Sequence, residues 1–203
     1  VAVDENGVPA NGDVVMAILA RHWKDADRLR GDLVVVTVMS NLGFRKAMAE
    51  AGIELVETKV GDRYVREAMI ERGAVLGGEQ SGHIIFLNKA QTGDGLLTAL
   101  LLLEVVAGTG KPLRLLREEA IVEYPQVLRS VRVPREADLE AADLVWEALR
   151  EVDRALGEEG RVLVRASGTE PVVRVMVEAL DRDTALRYAD HLSTIVRNEL
   201  GEG

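Results

Sequence analysis

Two hydrophobic patterns alternate along the first 110 residues of the chain. Short β-branched runs, such as Leu33–Met39 and Ile53–Glu57, have the length and composition of buried strands. Longer segments with apolar residues three and four positions apart, such as Val14–Leu29 and Leu96–Val106, predict helices. Because strand and helix patterns alternate in α/β domains, we expect the chain to begin with a mostly parallel α/β sheet domain.

The pattern changes near residue 112. A strand is predicted over Tyr124–Val133, a helix over Leu139–Leu156 and a last helix over Thr184–Leu200 with Asp183 as its cap. Four residues of the first of these helices are expected to face the core: Leu144, Val145, Ala148 and Val152. We therefore predict two domains, an α/β domain over residues 1–112 and a smaller α+β domain over residues 113–203.

Charge and composition limit the classes of function. The 203 residues carry a net charge of −9, with a pI near 5.0, which argues against a general nucleic-acid-binding protein. Cysteine is absent from the sequence, so neither a disulfide framework nor a cysteine metal site is expected. The sequence shows no transmembrane run and no signal peptide. We therefore expect a cytoplasmic protein with no nucleic-acid partner and no membrane partner.

A polar loop separates two strand-like runs near the C-terminus. Its sequence, R-A-S-G-T-E-P, covers residues 165–171, and a period-2 pattern follows it. These residue types suit a phosphate monoester, because a glycine lets backbone N–H groups converge, hydroxyls donate hydrogen bonds and an arginine fork matches phosphate oxygens in pairs. The expected phosphate contacts are Arg165, Ser167, Gly168, Thr169 and Arg174.

The remaining residues of this loop have other expected roles. Glu170 is expected to orient the loop, since a carboxylate repels a phosphate, and Pro171 is expected to fix its exit. An ordinary hairpin loop with solvated arginines is the alternative that these residues alone leave open.

A second glycine-rich loop, G-G-E-Q-S-G-H, covers residues 77–83. Glu79, Ser81 and His83 occupy alternate positions, which would put three polar side chains on one side of an extended loop. A carboxylate and a hydroxyl suit vicinal sugar hydroxyls, which both donate and accept hydrogen bonds. A polar surface turn is the alternative, and His83 is also a candidate for moving a proton.

The two loops together resemble a known family. G-G-E-Q-S-G-H-I-I-F and R-A-S-G-T-E-P are similar to motifs of the α-D-phosphohexomutase superfamily, and the first form is most similar to the bacterial phosphoglucosamine mutases. Further matching stretches are V-G-D-R-Y-V at residues 60–65, T-G-D-G-L-L-T-A-L at 92–100 and Y-P-Q-V at 124–127. The resemblance implies a mostly parallel α/β domain followed by a smaller C-terminal domain of TATA-box-binding-protein-like α+β fold.

The resemblance also implies an activity. Enzymes of this branch interconvert glucosamine 6-phosphate and glucosamine 1-phosphate for amino-sugar and peptidoglycan precursor synthesis. A phosphoserine gives up its phosphoryl group, a hexosamine 1,6-bisphosphate is the intermediate, and Mg²⁺ stabilises the transferring group. The loop at residues 77–83 would then read the sugar hydroxyls, Arg63 would contact the substrate, and the loop at residues 165–171 would hold the phosphate that is not reacting. Asp94 is expected to cap the helix that follows it.

Two parts of the family pattern are absent. The sequence contains no serine in the family's catalytic context and no D-x-D-x-D run for Mg²⁺, and it begins at Val1 without methionine. We therefore expect a C-terminal fragment, the third and fourth of four domains, which binds sugar phosphate but holds neither the catalytic serine nor a metal and is inactive alone. Its partners would be the missing N-terminal domains, which would bind Mg²⁺, and a second copy in a homodimer. A phosphomannomutase or phosphoglucomutase, and a non-catalytic phosphosugar-binding module, are the alternatives.

Overall fold

The computed structural model describes residues 2–201, which divide into two units between Glu123 and Tyr124. Each unit has buried apolar clusters of its own. The predicted succession of an α/β unit and a smaller α+β unit is confirmed. This division assigns the two candidate loops to different units, residues 77–83 to the first and residues 165–171 to the second.

A mixed sheet forms the centre of the first unit. The strands described in this unit are β1 (Ala2–Val3), β2 (Pro9–Ala10), β3 (Leu33–Thr37), β4 (Glu54–Thr58), β5 (Leu76–Gly78) and β6 (Ile84–Phe86). Four of them form one sheet in the order β4-β3-β5-β6, in which β3 is parallel to β4 and β5, and β6 is antiparallel to β5. Strand β3 is buried along its whole length, as its β-branched composition favours.

The α-helices of the first unit pack against this sheet or against one another. Their bounds are α1 (Gly12–Asp25), α2 (Leu42–Glu50), α3 (Asp62–Arg72), α4 (Gly95–Thr109) and α5 (Leu113–Ala120). Every residue of α1 from Gly12 to Ala20 is buried, because α2, α4 and α5 pack around this helix. The side chain of Asn11 caps α1 by accepting the N–H of Val14 at 3.1 Å. Helix α1 therefore starts at a fixed place, close to the loop at residues 77–83.

The first unit ends later than the boundary predicted after residue 112. Helix α5 follows a turn at Gly110, whose φ of 66° suits glycine. Leu116, Ala120 and Ile121 are buried in the cluster that also contains α1. The change of pattern near residue 112 is therefore a break between two helices of one unit, and the division lies after Glu123.

Helix α4 combines an apolar sequence with an exposed surface. Leu96, Leu100 and Leu103 are all more than half exposed, and Glu104 is the charged residue of this helix. Within residues 2–201 no single helix is both long and apolar enough to cross a membrane. Helices α4 and α5 reach that length and apolarity only when they are counted as a pair, and the pair is bent by 96° at the break.

An antiparallel sheet and two helices form the second unit. The elements are β7 (Gln126–Arg132), α6 (Asp143–Leu156), β8 (Gly160–Ala166), β9 (Val172–Ala179) and α7 (Arg182–Leu200). The strands pair antiparallel in the order β7-β9-β8. Val173, Val175 and Val177 of the central strand are buried in one cluster with apolar residues of both helices. The period-2 pattern of β9 thus matches a strand that places alternate residues in the core.

Two local predictions for the second unit are wrong. Leu144 is 61% exposed, because the buried stripe of α6 starts at the next residue, Val145. Helix α6 itself begins at Asp143. Helix α7 is capped by Asp181 and not by Asp183: the Asp181 carboxylate accepts the N–H of Thr184 at 2.7 Å. Asp183 already lies in the first turn, since the helix begins two residues before the predicted start.

Candidate functional site

The first candidate loop, Glu79–His83, closes the hairpin between β5 and β6. The N–H of Glu79 donates to the carbonyl oxygen of His83 at 3.0 Å, and the N–H of Gly82 donates to the carbonyl oxygen of Glu79 at 2.9 Å. Gly82 has a φ of 98°, a conformation that favours glycine. The loop is therefore a tight turn rather than the extended segment that the alternate spacing suggested.

The start of helix α1 holds the backbone of this loop. The N–H of Gly12 donates to the carbonyl oxygen of Gln80 at 2.9 Å. A methyl group on Gly12 would lie 2.0 Å from the carbonyl oxygen of Glu79 and 2.9 Å from the nitrogen of Gly82, so only glycine permits this approach. In the sequence, the stretch Asn11-Gly12-Asp13 indicates only the start of a helix. Nothing in this local pattern predicts that Gly12 contacts a loop 67 residues further along the chain.

The three side chains predicted to bind the sugar lie in two different parts of the first unit. The Glu79 carboxylate accepts the N–H of Gly61 at 3.0 Å, and Nε2 of His83 lies 3.6 Å from Oδ2 of Asp62. Ser81 is exposed and lines a mainly apolar cavity of about 680 Å³ beside the start of α4. Glu79 and His83 thus meet at the start of α3, whereas Ser81 lies at the cavity, because a turn does not keep alternate residues on one side.

Arg63 is close to this place but is already paired. Its Nε donates to Oε1 of Glu67 at 2.8 Å on the surface of α3, and this bond raises the pKa of the Arg63 guanidinium. The side chain is 79% exposed, so it can leave Glu67 at little cost. Asp94 caps α4 as predicted, since its carboxylate accepts the N–H groups of Leu96 and Leu97 at 2.9 and 3.0 Å.

The second candidate loop, Ser167–Pro171, joins β8 to β9. The N–H of Ser167 donates to the carbonyl oxygen of Val172 at 2.9 Å. Gly168 and Thr169 are exposed, and within the described chain their N–H groups have no backbone partner. The loop lines a cavity of about 260 Å³ together with Val133, Pro134, Arg135, Ala137 and Leu139. The backbone donors expected for a phosphate are therefore accessible in this loop.

Glycine at residue 168 is not required by the fold of the chain. Its φ is not positive, and a methyl group there would meet no atom within 4 Å. The absence of a side chain instead leaves room for a ligand to approach the backbone. The surroundings of this glycine thus differ from those of Gly12, which is enclosed by other backbone atoms.

Two arginines face each other beside the second loop. Arg165 of β8 and Arg174 of β9 are directly opposite in the strand register. The Nε atom of each is buried and has no hydrogen-bond partner among the described residues. Burial lowers the pKa of the Arg165 guanidinium, and the neighbouring charge of Arg174 lowers it further. Like charges directly opposite on adjacent strands are destabilising, so an anion bound beside the two arginines would relieve their repulsion.

One carboxylate, that of Glu170, already contacts one arginine of this pair. Oε2 of Glu170 lies 3.0 Å from Nη2 of Arg174, and the Glu170 side chain is 61% exposed. The N–H of Glu170 also makes a long hydrogen bond, of 3.4 Å, to the hydroxyl of Ser167. Glu170 therefore connects the loop to Arg174, as expected of a residue that orients the loop, and it leaves Arg165 without a counter-ion in this contact.

The described residues do not offer the ligands that Mg²⁺ requires. No group of three or more His, Asp or Glu side chains suited to a metal ion is found in residues 2–201. Mg²⁺ prefers six oxygen ligands in octahedral geometry, and the pair of Asp62 and His83 does not approach such a set. The metal that the resemblance implies therefore does not fit the donor groups of the described residues.

Two family models match the chain in sequence order. Residues 11–124 match "Phosphoglucomutase/phosphomannomutase, alpha/beta/alpha domain III", and residues 128–195 match "Phosphoglucomutase/phosphomannomutase, C-terminal domain". The chain belongs to the phosphoglucomutase/phosphomannomutase family. The resemblance to the phosphohexomutases that the two loops indicated is thereby confirmed, and the two matches correspond to the two units of the fold.

The chain is also similar to the phosphoglucosamine mutases of several bacteria. It is 49% identical to that of Oceanobacillus iheyensis and 48% identical to that of Bacillus subtilis, over 99% of the chain in both cases. These matches cover 45% of each relative, so the chain spans less than half the length of the curated relatives that it matches. The predicted similarity to the glucosamine branch of the family is confirmed.

Solved structures of more distant members share the fold. N-acetylphosphoglucosamine mutase of Aspergillus fumigatus, in complex with GlcNAc-6P and magnesium, matches 96% of the chain and 48% of that structure, with a TM-score of 0.75 and 21% identity. A phosphoglucomutase/phosphomannomutase family protein of Burkholderia thailandensis matches 97% of the chain and 43% of that structure, with a TM-score of 0.74 and 23% identity. At such identities these likenesses show the fold alone.

Proposed function

We propose that this chain is the part of a phosphoglucosamine mutase that recognises the sugar and the phosphate of its substrate. The whole enzyme would interconvert glucosamine 6-phosphate and glucosamine 1-phosphate. Similarity to phosphoglucosamine mutases over 99% of the chain supports the choice of substrate. We assign phosphate binding to the loop Ser167–Pro171 and sugar recognition to the loop Glu79–His83.

The arginine pair Arg165 and Arg174 is the observation that carries the proposal. Each Nε atom is buried without a hydrogen-bond partner in the described residues, and the two charges repel each other. A phosphate group with two negative charges would relieve that repulsion and accept from both guanidinium groups. The N–H groups of Gly168 and Thr169 and the hydroxyl of Ser167 supply further donors at the same loop.

The first unit would recognise the sugar by its hydroxyl groups. Glu79 accepts and His83 can donate or accept, which matches the two-way hydrogen bonding of a hydroxyl. Ser81 lines the neighbouring cavity, and Arg63 can turn from Glu67 toward a bound substrate. Holding these groups in place uses binding energy to position the reacting end of the substrate.

We assign no step of phosphoryl transfer to this chain. Its described residues offer no metal donor set, and its sequence has no serine in the family's catalytic context. The chain alone is therefore expected to be inactive, and turnover above background in a coupled mutase assay would contradict this part of the proposal. Mg²⁺ dependence of the whole enzyme, a hexosamine 1,6-bisphosphate intermediate, a homodimer and a cytoplasmic location stay predictions.

Calorimetric titration with glucosamine 6-phosphate tests the assignment of the phosphate site. Hydrogen bonds to charged groups contribute about 1.5–3 kcal/mol, so Arg165→Ala should weaken binding at least about tenfold. Arg129→Ala is the matched control, because Arg129 lies in the same unit and its Nε already donates to Asp190 at 2.8 Å. Equal affinities of the wild-type chain and the Arg165→Ala variant would overturn the assignment.

A phosphomannomutase or phosphoglucomutase activity is the second candidate, because the family models that match the chain carry those names. The similarity to phosphoglucosamine mutases favours the amino sugar. Titration of the chain with glucosamine, glucose and mannose 6-phosphates distinguishes the two candidate activities, because the sugar phosphate that binds most tightly indicates the substrate. In a Glu79→Gln variant, that sugar phosphate should lose its advantage in affinity over the other two.

A further inference from the structure

The imidazole of His83 lies against the backbone of Gly93. A methyl group on Gly93 would lie 2.5 Å from Nε2 of His83 and 2.7 Å from both Cδ2 and Cε1. The three atoms nearest to that methyl position all belong to this ring. The ring therefore occupies the space that any side chain at residue 93 would need.

Shape, rather than hydrogen bonding, holds this ring. Nε2 of His83 is buried and has no hydrogen-bond partner among the described residues. The nearby Oδ2 of Asp62 is 3.6 Å away, which is beyond hydrogen-bond distance. With Asp62 on one side and Gly93 in contact with the ring edge, the position of Nε2 depends on the lack of a side chain at Gly93.

The backbone at residue 93 would itself accept alanine. Gly93 has no positive φ, and neither does Gly95, two residues later. A methyl group on Gly95, in contrast, would meet no atom within 4 Å. Asp94, between them, fixes this turn by capping α4. The two glycines therefore share a local setting and differ in the contact with His83.

We propose that Gly93 is a positioning residue that fixes the His83 imidazole, with its Nε2 against the backbone of Gly93, so that the exposed part of the ring is held at the sugar-recognition loop. This inference rests on the proposed function of the loop Glu79–His83. A side chain at residue 93 would turn the imidazole away, and the response would be a change of side-chain rotamer, because the ring is the free end of a flexible side chain. Sugar recognition would then weaken while the fold of the unit is kept.

Two measurements on the full chain test the proposal. The first is the set of ¹H–¹³C imidazole NMR signals, which come from three histidines and are assigned for His83 by their loss in His83→Ala. Gly93→Ala should shift the His83 signals, whereas Gly95→Ala should leave them in place. The second is titration with glucosamine 6-phosphate, in which Gly93→Ala should weaken binding about three- to tenfold, the equivalent of one neutral hydrogen bond. Thermal melting confirms that each variant folds.

The double variant Gly93→Ala/His83→Ala isolates the route of the effect. If Gly93 acts through the ring, its substitution adds no further loss of affinity once His83 is alanine. Unchanged His83 signals in Gly93→Ala, or a full additional loss in the double variant, would overturn the proposal. Failure of the wild-type chain to bind any sugar phosphate would overturn the sugar-recognition role on which the proposal rests, whereas the NMR signals would still report whether Gly93 positions the ring.

Discussion

The loops Glu79–His83 and Ser167–Pro171 both connect antiparallel strands, but the chain around them holds them in different ways. The first is fixed from outside: Gly12 contacts its backbone, and the N–H of Gly61 contacts its carboxylate. The second is bonded to the ends of its own sheet, through Val172 and Val133, and its glycine is surrounded by open space. Distant segments thus impose the shape of the first loop, whereas the second leaves its donors accessible to a ligand.

The largest effect on stability is expected from Arg161→Leu. Arg161 lies on the same strand as Arg165, β8, but we assign it a role in the stability of the fold and none in phosphate binding. Glu178 is fully buried and accepts from Nε of Arg161 at 3.1 Å and from Gln126 at 2.6 Å. Removal of one partner of a buried ion pair costs about 3–5 kcal/mol, so the melting temperature of the second unit should fall by more than about 10 °C. Fluorescence of Trp146 in a Trp23→Phe background reports on this unit alone.

Arg165→Leu, on the same strand, is the matched control for that variant. It removes the same charge, but from a guanidinium whose Nε has no partner in the described residues. We expect an unchanged or slightly higher melting temperature, because the repulsion of Arg174 is relieved, together with the loss of phosphate binding. A large fall in melting temperature would show that Arg165, too, is needed for the fold.

Gly12→Ala tests whether the first loop depends on a distant segment. Its methyl group would lie 2.0 Å from the carbonyl oxygen of Glu79, and backbone must move to admit it. Overpacking of this kind costs about 1–3 kcal/mol, so we expect a lower melting temperature of the first unit and weaker sugar binding. Trp23 fluorescence in a Trp146→Phe background measures the first effect, and titration measures the second.

Gly108→Ala serves as the control for Gly12→Ala, since it lies within α4 with no atom within 4 Å of its methyl position. It should raise stability slightly, by about 0.5–1 kcal/mol, because glycine is unfavourable inside a helix. If Gly12→Ala and Gly108→Ala changed the melting temperature equally, the conclusion that a distant segment holds the first loop through Gly12 would be wrong.

Glu170→Gln should have a smaller effect, confined to the second loop. An incoming phosphate competes with Glu170 for Arg174, and an exposed ion pair contributes about 0.2–1 kcal/mol. Affinity for glucosamine 6-phosphate should therefore rise, by up to about fivefold, when this carboxylate is neutralised. A fall in affinity would show instead that Glu170 holds Arg174 in the geometry that binds phosphate.

The smallest effect is expected at the cap of α7, and it should disappear in acid. Hydrogen bonds from Thr184 lower the pKa of Asp181 from its ordinary value of 3.8. A carboxyl with a lowered pKa stabilises the folded state fully above its unfolded pKa, and this contribution disappears as the pH falls through the folded pKa. Asp181→Ala should therefore lower the melting temperature of the second unit at neutral pH and weaken its dependence on pH below about 4. Asp183→Ala, two residues further along the chain, should change neither the melting temperature at neutral pH nor its dependence on pH.

Much of the fold follows from local pattern. The helix predicted over Leu96–Val106 lies within α4, Gly95–Thr109, and the run predicted at residues 33–39 contains the buried strand β3. Such elements depend on neighbours along the chain, so their periodicity is visible in the sequence. Leu144 shows where this reasoning ends: its exposure depends on where α6 starts and on how the helix is turned against the sheet.

The sequence alone determined the two-part architecture and the family and singled out the two candidate loops, because residue types and short-range spacing carry that information. Only the tertiary structure decided that Gly12 supports Glu79 and that Gly93 gives room to His83. It also decided that α5 belongs to the first unit and that Arg165 faces Arg174. These are contacts between segments brought together by packing, and the close approach of two backbones or two charges leaves no periodic trace in either segment.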